Sequence, residues 1–219
     1  MALAKQPDVV SLDPKSIGDV LEDMRRVARA TGTDTIAASL VAGLQARLEA
    51  VMAKTASVTG KPRVLHLEWA DPPMCGGHWV PEMVEMAGGI NCFGDKQHGS
   101  FRLAWADMVA SQPEVIILMP CGFDVHRALQ DIPILVEQEG WDRLPAVQNH
   151  RVYIIDAGAY TSRSGPRLVT GLEIMAEMLH PQLYSGMFPE AAALRLTDDA
   201  VKTSVKTSGR PPRAPRRQV

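Results

Sequence analysis

Long hydrophobic runs, paired cysteines and aromatic side chains are all scarce in this sequence. The longest apolar runs, such as residues 115–119, fall far short of the ~20 residues that a membrane-spanning helix needs, so we expect no membrane insertion. The 3 cysteines make an odd number without CxxC or zinc-type spacing, which argues against a disulfide scaffold and a structural zinc site. Only 11 residues are aromatic, so any local concentration of them is informative.

The first 14 residues lack both an apolar stretch of secretion-signal type and a small-residue cleavage site. They therefore predict no secretion signal. As written, the chain is expected to be cytoplasmic. An incomplete N-terminus would change that expectation to a periplasmic or exported protein.

The net charge of the 219-residue chain is only −2, but the charges are unevenly distributed. The first 201 residues carry 17 basic and 25 acidic residues, whereas 6 basic residues and no acid follow them. An acidic body argues against nucleic-acid binding, because phosphate contact needs clustered cations. Residues 197–219 are basic and rich in proline, without apolar periodicity, and predict a disordered tail. Contact of this tail with an acidic partner is left open.

Two helices are predicted before residue 60. Apolar residues recur at helical spacing over residues 17–27 and again over residues 36–51. The second helix, of about 22 residues, would be roughly 33 Å long and would cross a small domain. We expect it to pack against the rest of the chain through a stripe formed by Leu40, Leu44 and Leu48.

From Pro62 onward, strands and helices alternate. Strands are predicted at residues 63–69, 115–119 and 151–156, and helices at 79–86, 101–111, 125–138 and from 166 onward. A short, fully apolar strand is typical of the buried centre of a parallel sheet. The alternation of strands and helices predicts an α/β fold. In it, a long helix precedes a three-layer lobe with helices on both faces of a mainly parallel sheet.

Aromatic residues follow each of the three predicted strands. Trp69 and Trp79 come after the first, Phe123 after the second and Tyr160 after the third. Because the carboxyl ends of parallel strands lie along one edge of a sheet, these residues should share one rim. A rim of this kind suits a large, flat, partly apolar ligand.

Each of these residues also has a purely structural interpretation. Trp69 and Trp79 are also explained as packing residues, and Cys121 as a small buried hydrophobe. His78 is placed either to cap a helix or to contact a ligand. Arg163 and Arg167 are equally able to pair with surface acids such as Glu173.

Five segments carry a family resemblance between residues 7 and 184: SLDPKSIGDVLEDMRRV, EWADPPMCGGHWVPEMVEMAGG, ILMPCGFDV, GWDRLPAVQNHRVYIIDA and YTSRSGPRLVTGLEIMAEMLHP. They resemble the second half of the cobalamin and iron-siderophore class of ABC-transporter substrate-binding proteins, in particular its cobalamin-binding branch. The resemblance implies a truncated form of a two-lobed, class III periplasmic-binding-protein-like fold. Residues 1–33 would be a remnant of the first lobe, 34–58 the interdomain backbone helix and 62–184 the second, ligand-binding lobe.

The resemblance also implies a set of ligand-binding residues. Tyr160 falls where vitamin B12 binders place an aromatic ring against the corrin, and Arg163 and Arg167 match an arginine–proline pattern that follows. The remaining positions match loops of the cobalamin-binding branch. The full set is Trp69, Gly77, His78, Trp79, Cys121, Gly122, Phe123, Tyr160, Arg163 and Arg167.

Three functions follow from these observations. The first is non-catalytic binding of a corrinoid such as cobalamin, or of another chelated metal, impaired by loss of the first lobe. Its partners would be an ABC permease or a separate chain that supplies the first lobe. The second is an orphan lobe that acts as an interaction module. The third is an enzyme that uses the Cys121 thiol with a histidine base.

Overall fold

One mixed, mainly parallel sheet organises the computed structural model, which describes residues 8–95, 98–184, 186, 189 and 191–207. In this part of the chain the strand order is β4-β2-β1-β5-β6-β7, with β3 also paired to β1. The central strands β1, β5 and β6 run parallel, while β2, β4 and β7 are antiparallel to their neighbours. The strands are β1 (Arg63–Ala70), β2 (Pro73–Cys75), β3 (Ile90–Asn91), β4 (Phe101–Arg102), β5 (Val115–Leu118), β6 (Val152–Ile155) and β7 (Ala193–Arg195).

Helices cover both faces of this sheet. They are α1 (Ile17–Thr31), α2 (Asp34–Ala56), α3 (Trp79–Met86), α4 (Trp105–Ala110), α5 (Val125–Leu129), α6 (Ile132–Val136), α7 (Pro145–Gln148), α8 (Ala157–Tyr160), α9 (Arg167–Leu179) and α10 (Asp198–Thr207). One core contains side chains from α1, α2, α3 and α9, and the other contains side chains from α4, α5, α6 and α7. The predicted three-layer α/β fold is thus confirmed.

Alternation along the central strands divides their side chains between the two cores. Val115 and Ile117 of β5 face the core of α2 and α9, whereas Ile116 and Leu118 face the other core. All four are fully buried. A strand can be this apolar because helices exclude water from both of its faces.

Helix α2 packs on the lobe through one face. Val41, Leu44, Leu48 and Val51 are buried, and α2 contacts α3 and α9. A two-pronged ion pair fixes it to α9, since the Arg47 Nε donates to one carboxylate oxygen of Glu173 at 2.8 Å and its Nη2 to the other at 2.6 Å. This carboxylate raises the pKa of the Arg47 guanidinium.

The packing stripe expected on α2 is wrong at one position. Leu40 is 44% exposed, and the preceding turn adds Ile36 at 71% exposure. The helix buries the neighbouring positions Ala37 and Val41 instead. Ile36 and Leu40 therefore form a second apolar face that is exposed to solvent. In the described residues, α2 is also the one helix long and apolar enough to cross a membrane. One face of this helix is nevertheless buried in the core, through Val41, Leu44, Leu48 and Val51.

Two predicted helices are shorter than expected. Residues 101–102 form strand β4, which pairs with β2 through Phe101 and Cys75, so α4 begins only at Trp105. Residues 125–138 form two helices, α5 and α6, and Pro133 lies in the first turn of the second. Proline fits that position because its missing N–H would have no helical partner there.

The lobe extends beyond the predicted boundary at residue 184. The prediction of a disordered tail from residue 197 is wrong over residues 198–207, which form a helix. Strand β7 pairs with β6, Leu196 is buried and α10 follows. The Ser204 hydroxyl donates to the Leu129 carbonyl at 2.6 Å. These contacts supply the burial that a proline- and arginine-rich composition did not indicate. Residues 208–219 lie outside the described part of the chain.

The domain roles inferred for residues 1–33 and 34–58 stay predictions. Helix α1 begins with a capping box, in which the Ser16 hydroxyl accepts from the Asp19 N–H and the Asp19 carboxylate accepts from the Ser16 N–H. The Ile17 N–H donates to the Glu82 carboxylate at 3.0 Å. Through this bond α1 is attached to α3, and so to the same lobe as α2.

Removal of residues 198–219 should lower the stability of the lobe. Loss of the α10 packing and of the Ser204 hydrogen bond should cost roughly 2 kcal/mol, which corresponds to about 4–8 °C in melting temperature for a chain of this size. The matched control removes only residues 208–219 and should change the melting temperature by less than about 2 °C. Equal melting temperatures for the two truncations would contradict the packing of α10.

Candidate functional site

A cavity of about 180 Å³ opens at the carboxyl ends of β1 and β5, beside the N-terminus of α3. This is the edge at which ligands bind to open parallel sheets. Aromatic, sulfur-containing, imidazole, carboxylate and hydroxyl groups surround it. The lining residues are Glu68, Gly77, His78, Trp79, Val80, Ser100, Met119, Cys121, Thr161 and Ser162.

Hydrogen bonds hold the loops after the three parallel strands together at this cavity. The Cys121 N–H donates to the Glu68 carbonyl at 3.2 Å, which joins the loop after β5 to the end of β1. The Gly122 N–H donates to the Ser162 hydroxyl at 3.2 Å, and the Trp79 indole N–H donates to the Thr161 carbonyl at 2.8 Å. The three loops therefore lie side by side.

Gly77 is required by a close approach of two backbone segments. A Cβ at this position would collide with the His98 carbonyl oxygen and would lie 2.6 Å from the carbonyl carbon of Gly99. The next residue, His78, donates its N–H to the same His98 carbonyl at 3.1 Å. The segment at residues 98–99 thus fixes the backbone at the start of α3.

His78 has an unusual backbone for a residue with a side chain. Its φ of 55° and ψ of −122° match the first central position of a type II′ turn, which glycine dominates. Its side chain makes no capping hydrogen bond, so the expected capping role is wrong. Within the described residues the imidazole has a ring contact with Trp79, at 5.8 Å between centroids, and no hydrogen bond.

The predicted residues Trp69, Gly122 and Phe123 lie next to the cavity and outside its lining. The Trp69 and Phe123 rings are 5.2 Å apart, and the Arg127 guanidinium lies 4.1 Å from the Phe123 ring centre. Phe123 packs against the core of α5 and α6. Phe123 thus packs against the core outside the cavity lining, whereas Gly77, His78, Trp79 and Cys121 meet at the cavity.

Tyr160, Arg163 and Arg167 are also outside the cavity lining. Tyr160 is partly buried against the core that contains Trp79. Both arginines are exposed and form no ion pair within the described part of the chain. The alternative that they pair with Glu173 is wrong, because Arg47 occupies that carboxylate.

Four polar lining residues were missed from the sequence. The Ser100 hydroxyl donates to the Glu68 carboxylate at 2.6 Å, and Thr161 and Ser162 lie on the opposite loop. One feature of the sequence could have pointed to Glu68 as a site residue, because it is a charged residue between the apolar residues that end β1. Ser100 had none, because it reaches the cavity from a loop after β3.

A family model described as periplasmic binding protein matches residues 2–159. The chain belongs to the periplasmic binding protein family. Substrate-binding proteins of this kind are not enzymes, which sets aside the Cys121 nucleophile. Cys121 is exposed at the cavity.

A curated relative of this periplasmic binding protein is the uncharacterized ABC transporter substrate-binding lipoprotein YvrC of Bacillus subtilis (strain 168). It is 26% identical over 174 residues, which are 78% of this chain and 53% of the relative. The chain therefore spans about half the length of the curated relative it matches.

Two solved structures show the same fold. The periplasmic vitamin B12 binding protein BtuF of Vibrio cholerae has a TM-score of 0.62 and 19% identity, over 78% of this chain and 64% of its own. S. aureus IsdE, solved in complex with heme, has a TM-score of 0.69 and 16% identity, over 77% of this chain and 67% of its own.

A buried polar cluster lies behind the cavity. The Nε2 of His66 is 2.9 Å from the Asn91 side-chain oxygen and 3.1 Å from the Phe93 carbonyl. Burial lowers the pKa of His66 to about 4, and burial raises the pKa of the neighbouring Cys75 thiol. Both groups are therefore neutral near pH 7. Among the described residues, no group of three His, Cys, Asp or Glu side chains is placed to hold a bare metal ion.

Protonation of His66 should destabilise the fold in mild acid. The pKa of about 4 in the folded chain lies below the ordinary value of 6.5, so between these values only the unfolded chain gains the proton. Stability should be complete above about pH 6.5 and fall by roughly 3 kcal/mol as the pH drops toward 4. Urea unfolding of the wild type and His66→Gln across this range measures the difference. If the free energy of unfolding fell equally with pH in both proteins, this linkage to His66 would be contradicted.

Replacement of His78 by glycine should stabilise the protein relative to replacement by alanine. Both variants lose the imidazole, but only glycine adopts this backbone conformation without strain, which costs about 1–3 kcal/mol. After allowance for the greater freedom of unfolded glycine, His78→Gly should be about 1 kcal/mol more stable than His78→Ala. Urea unfolding at pH 7 measures both. A less stable glycine variant would show that the backbone is relaxed at this position.

Proposed function

We propose that this lobe binds a chelated-metal ligand of the corrinoid class and presents it to an ABC permease. The observation that carries the proposal is the meeting of Trp79, His78 and Cys121 in one cavity at the carboxyl edge of the sheet. An indole face suits stacking against a flat macrocycle, worth about 0.5–1.5 kcal/mol beyond the buried area. The likeness in fold to vitamin B12 and heme binders supports the choice of a chelated metal.

The size of the cavity indicates that the lobe contributes one wall of the binding site. At about 180 Å³ it is smaller than the ~300–1,000 Å³ typical of pockets that enclose a drug-sized ligand. A macrocycle would therefore rest across the opening and insert only part of its surface. We infer that a first lobe, in a longer form of this chain or in a separate chain, would cover the other face.

Arg163 and Arg167 are proposed to meet the outer carboxylate or phosphate groups of the ligand. Both are exposed and carry no ion pair within the described residues. An exposed guanidinium is well suited to bind a peripheral carboxylate or phosphate in a bidentate manner. Tyr160 is proposed to support the loop that carries them, since it packs against the core beside Trp79.

The location that accords with this function is outside the cytoplasm. The relative from B. subtilis is described as a lipoprotein, and substrate-binding proteins of this family are exported to meet their ligands. The cytoplasmic location expected from the first residues has no support among the relatives.

One observation favours the second candidate function, an interaction module. The outer side of α1 and α2 exposes a group of large apolar residues, in which Val27 is 42% and Ile36 is 71% accessible. Exposed apolar residues on two helices that contact each other suit a protein contact. This surface would serve either function, because a first lobe or a separate partner would cover it.

Ligand titration distinguishes the two functions. Aquocobalamin, haemin and a ferric hydroxamate are each added to the full chain, and bound ligand is measured by equilibrium dialysis. We expect saturable binding of aquocobalamin in the micromolar range, because the described lobe supplies one wall of the proposed site and each 1.4 kcal/mol of contact energy that is not made weakens binding tenfold.

The matched variants are Trp79→Ala at the cavity and Trp105→Ala outside the cavity lining. Trp105 stacks on Trp141 and donates its indole N–H to the Glu139 carbonyl at 2.7 Å, away from the cavity. Trp79→Ala should weaken binding by about fivefold or more and Trp105→Ala should leave it unchanged. Binding that is indifferent to Trp79, or no binding at hundreds of micromolar, would favour the interaction module.

A further inference from the structure

We propose that the imidazole of His78 binds the metal of the ligand at an open axial position. The inference rests on the proposed function, since it needs a chelated metal at this cavity, and it adds the atom that recognises the metal. It narrows the ligand class to macrocyclic chelates with an exchangeable axial site. A chelate whose metal is fully enclosed would gain nothing from this contact.

The first support is the free state of the imidazole. His78 lines the cavity, and within the described residues neither ring nitrogen has a hydrogen-bond partner. The Ser100 hydroxyl and the Glu68 carboxylate at the same cavity are, by contrast, engaged with each other. A neutral imidazole always carries one nitrogen lone pair that can bind a metal.

The second support is that the ring is held in place although its nitrogens are free. The His78 N–H is bonded to the His98 carbonyl, and a Cβ on Gly99 would lie 3.3 Å from the ring carbon Cε1. On the other side, the ring contacts Trp79, whose own indole is fixed by the Thr161 carbonyl. An imidazole whose backbone is held by a hydrogen bond, whose ring lies beside a fixed indole and whose nitrogens are unpaired is organised in advance for a ligand.

The third support is the strained backbone of His78. A positive φ with ψ of −122° costs a residue with a Cβ and would be relieved by glycine. The preceding residue is glycine for a steric reason of its own, because its Cβ would collide with the His98 carbonyl. The approach of residues 98–99 holds this backbone conformation, which glycine would adopt without strain, yet the position carries an imidazole that lines the cavity.

The binding step is a ligand exchange at the metal. Water leaves the axial position as its oxygen–metal bond breaks, and a bond from the imidazole nitrogen lone pair to the metal replaces it. No electron is transferred and the oxidation state of the metal is unchanged. Cys121 is the rival donor, since its exposed thiol lines the same cavity.

Visible absorption spectroscopy of the full chain tests the proposal. Aquocobalamin and haemin are the probes with an exchangeable axial position, and dicyanocobinamide is the blocked probe. The wild type should shift the absorption bands of the open probes and bind them roughly tenfold more tightly than His78→Ala does. The blocked probe should bind both proteins equally.

Two controls separate ligation from a structural role. Added imidazole should restore the band shift in His78→Gly, because that variant leaves space for the free ligand. His150→Ala should behave as wild type, since His150 is exposed and precedes β6 at the opposite end of the sheet. Cys121→Ser should keep the shift.

Each other outcome overturns the proposal in a recognisable way. If the open probes bind with an unchanged spectrum, or the shift survives in His78→Ala, the ligation is wrong while the proposed function stands. If the shift is lost in Cys121→Ser and kept in His78→Ala, the thiol is the ligand. If none of the three probes binds in dialysis, the proposed function fails and the ligation fails with it.

Discussion

Parallel pairing of β1, β5 and β6 is the constraint on which the remaining structure depends. The strands are locked in register by pairs such as Val64 with Val115 and Ile116 with Val152. Because all three run in the same direction, each must be followed by a loop at the same edge of the sheet. Helices must then return across both faces, which buries the central strands and brings the loops that follow them together at that edge.

One face of β1 shows how the apolar core changes into the binding edge. Val64, His66 and Glu68 point to the same side at successive alternate positions. Val64 is surrounded by the core, His66 is buried as a neutral imidazole with two polar partners, and Glu68 reaches the cavity. A buried polar group needs a hydrogen-bond partner, and Asn91 and the Phe93 carbonyl supply partners for His66 between the apolar core and the cavity.

The long helix α2 has two apolar faces, and only one of them is buried within the described residues. Helix α2 buries one apolar face on the lobe and leaves Ile36 and Leu40 exposed on another. The relative from B. subtilis is almost twice as long as the segment that matches this chain.

Periodicity and composition determined the fold class, the long second helix and the three central strands, because these depend on local alternation of apolar residues. The order of the strands also determined that Trp79, His78 and Cys121 would meet. Tertiary structure alone decided that Ser100 joins the site, that Phe123 packs away from it and that α10 folds, since each depends on contacts between distant residues. It also decided the conformation of His78, which the approach of residues 98–99 imposes on the backbone and which no local pattern encodes.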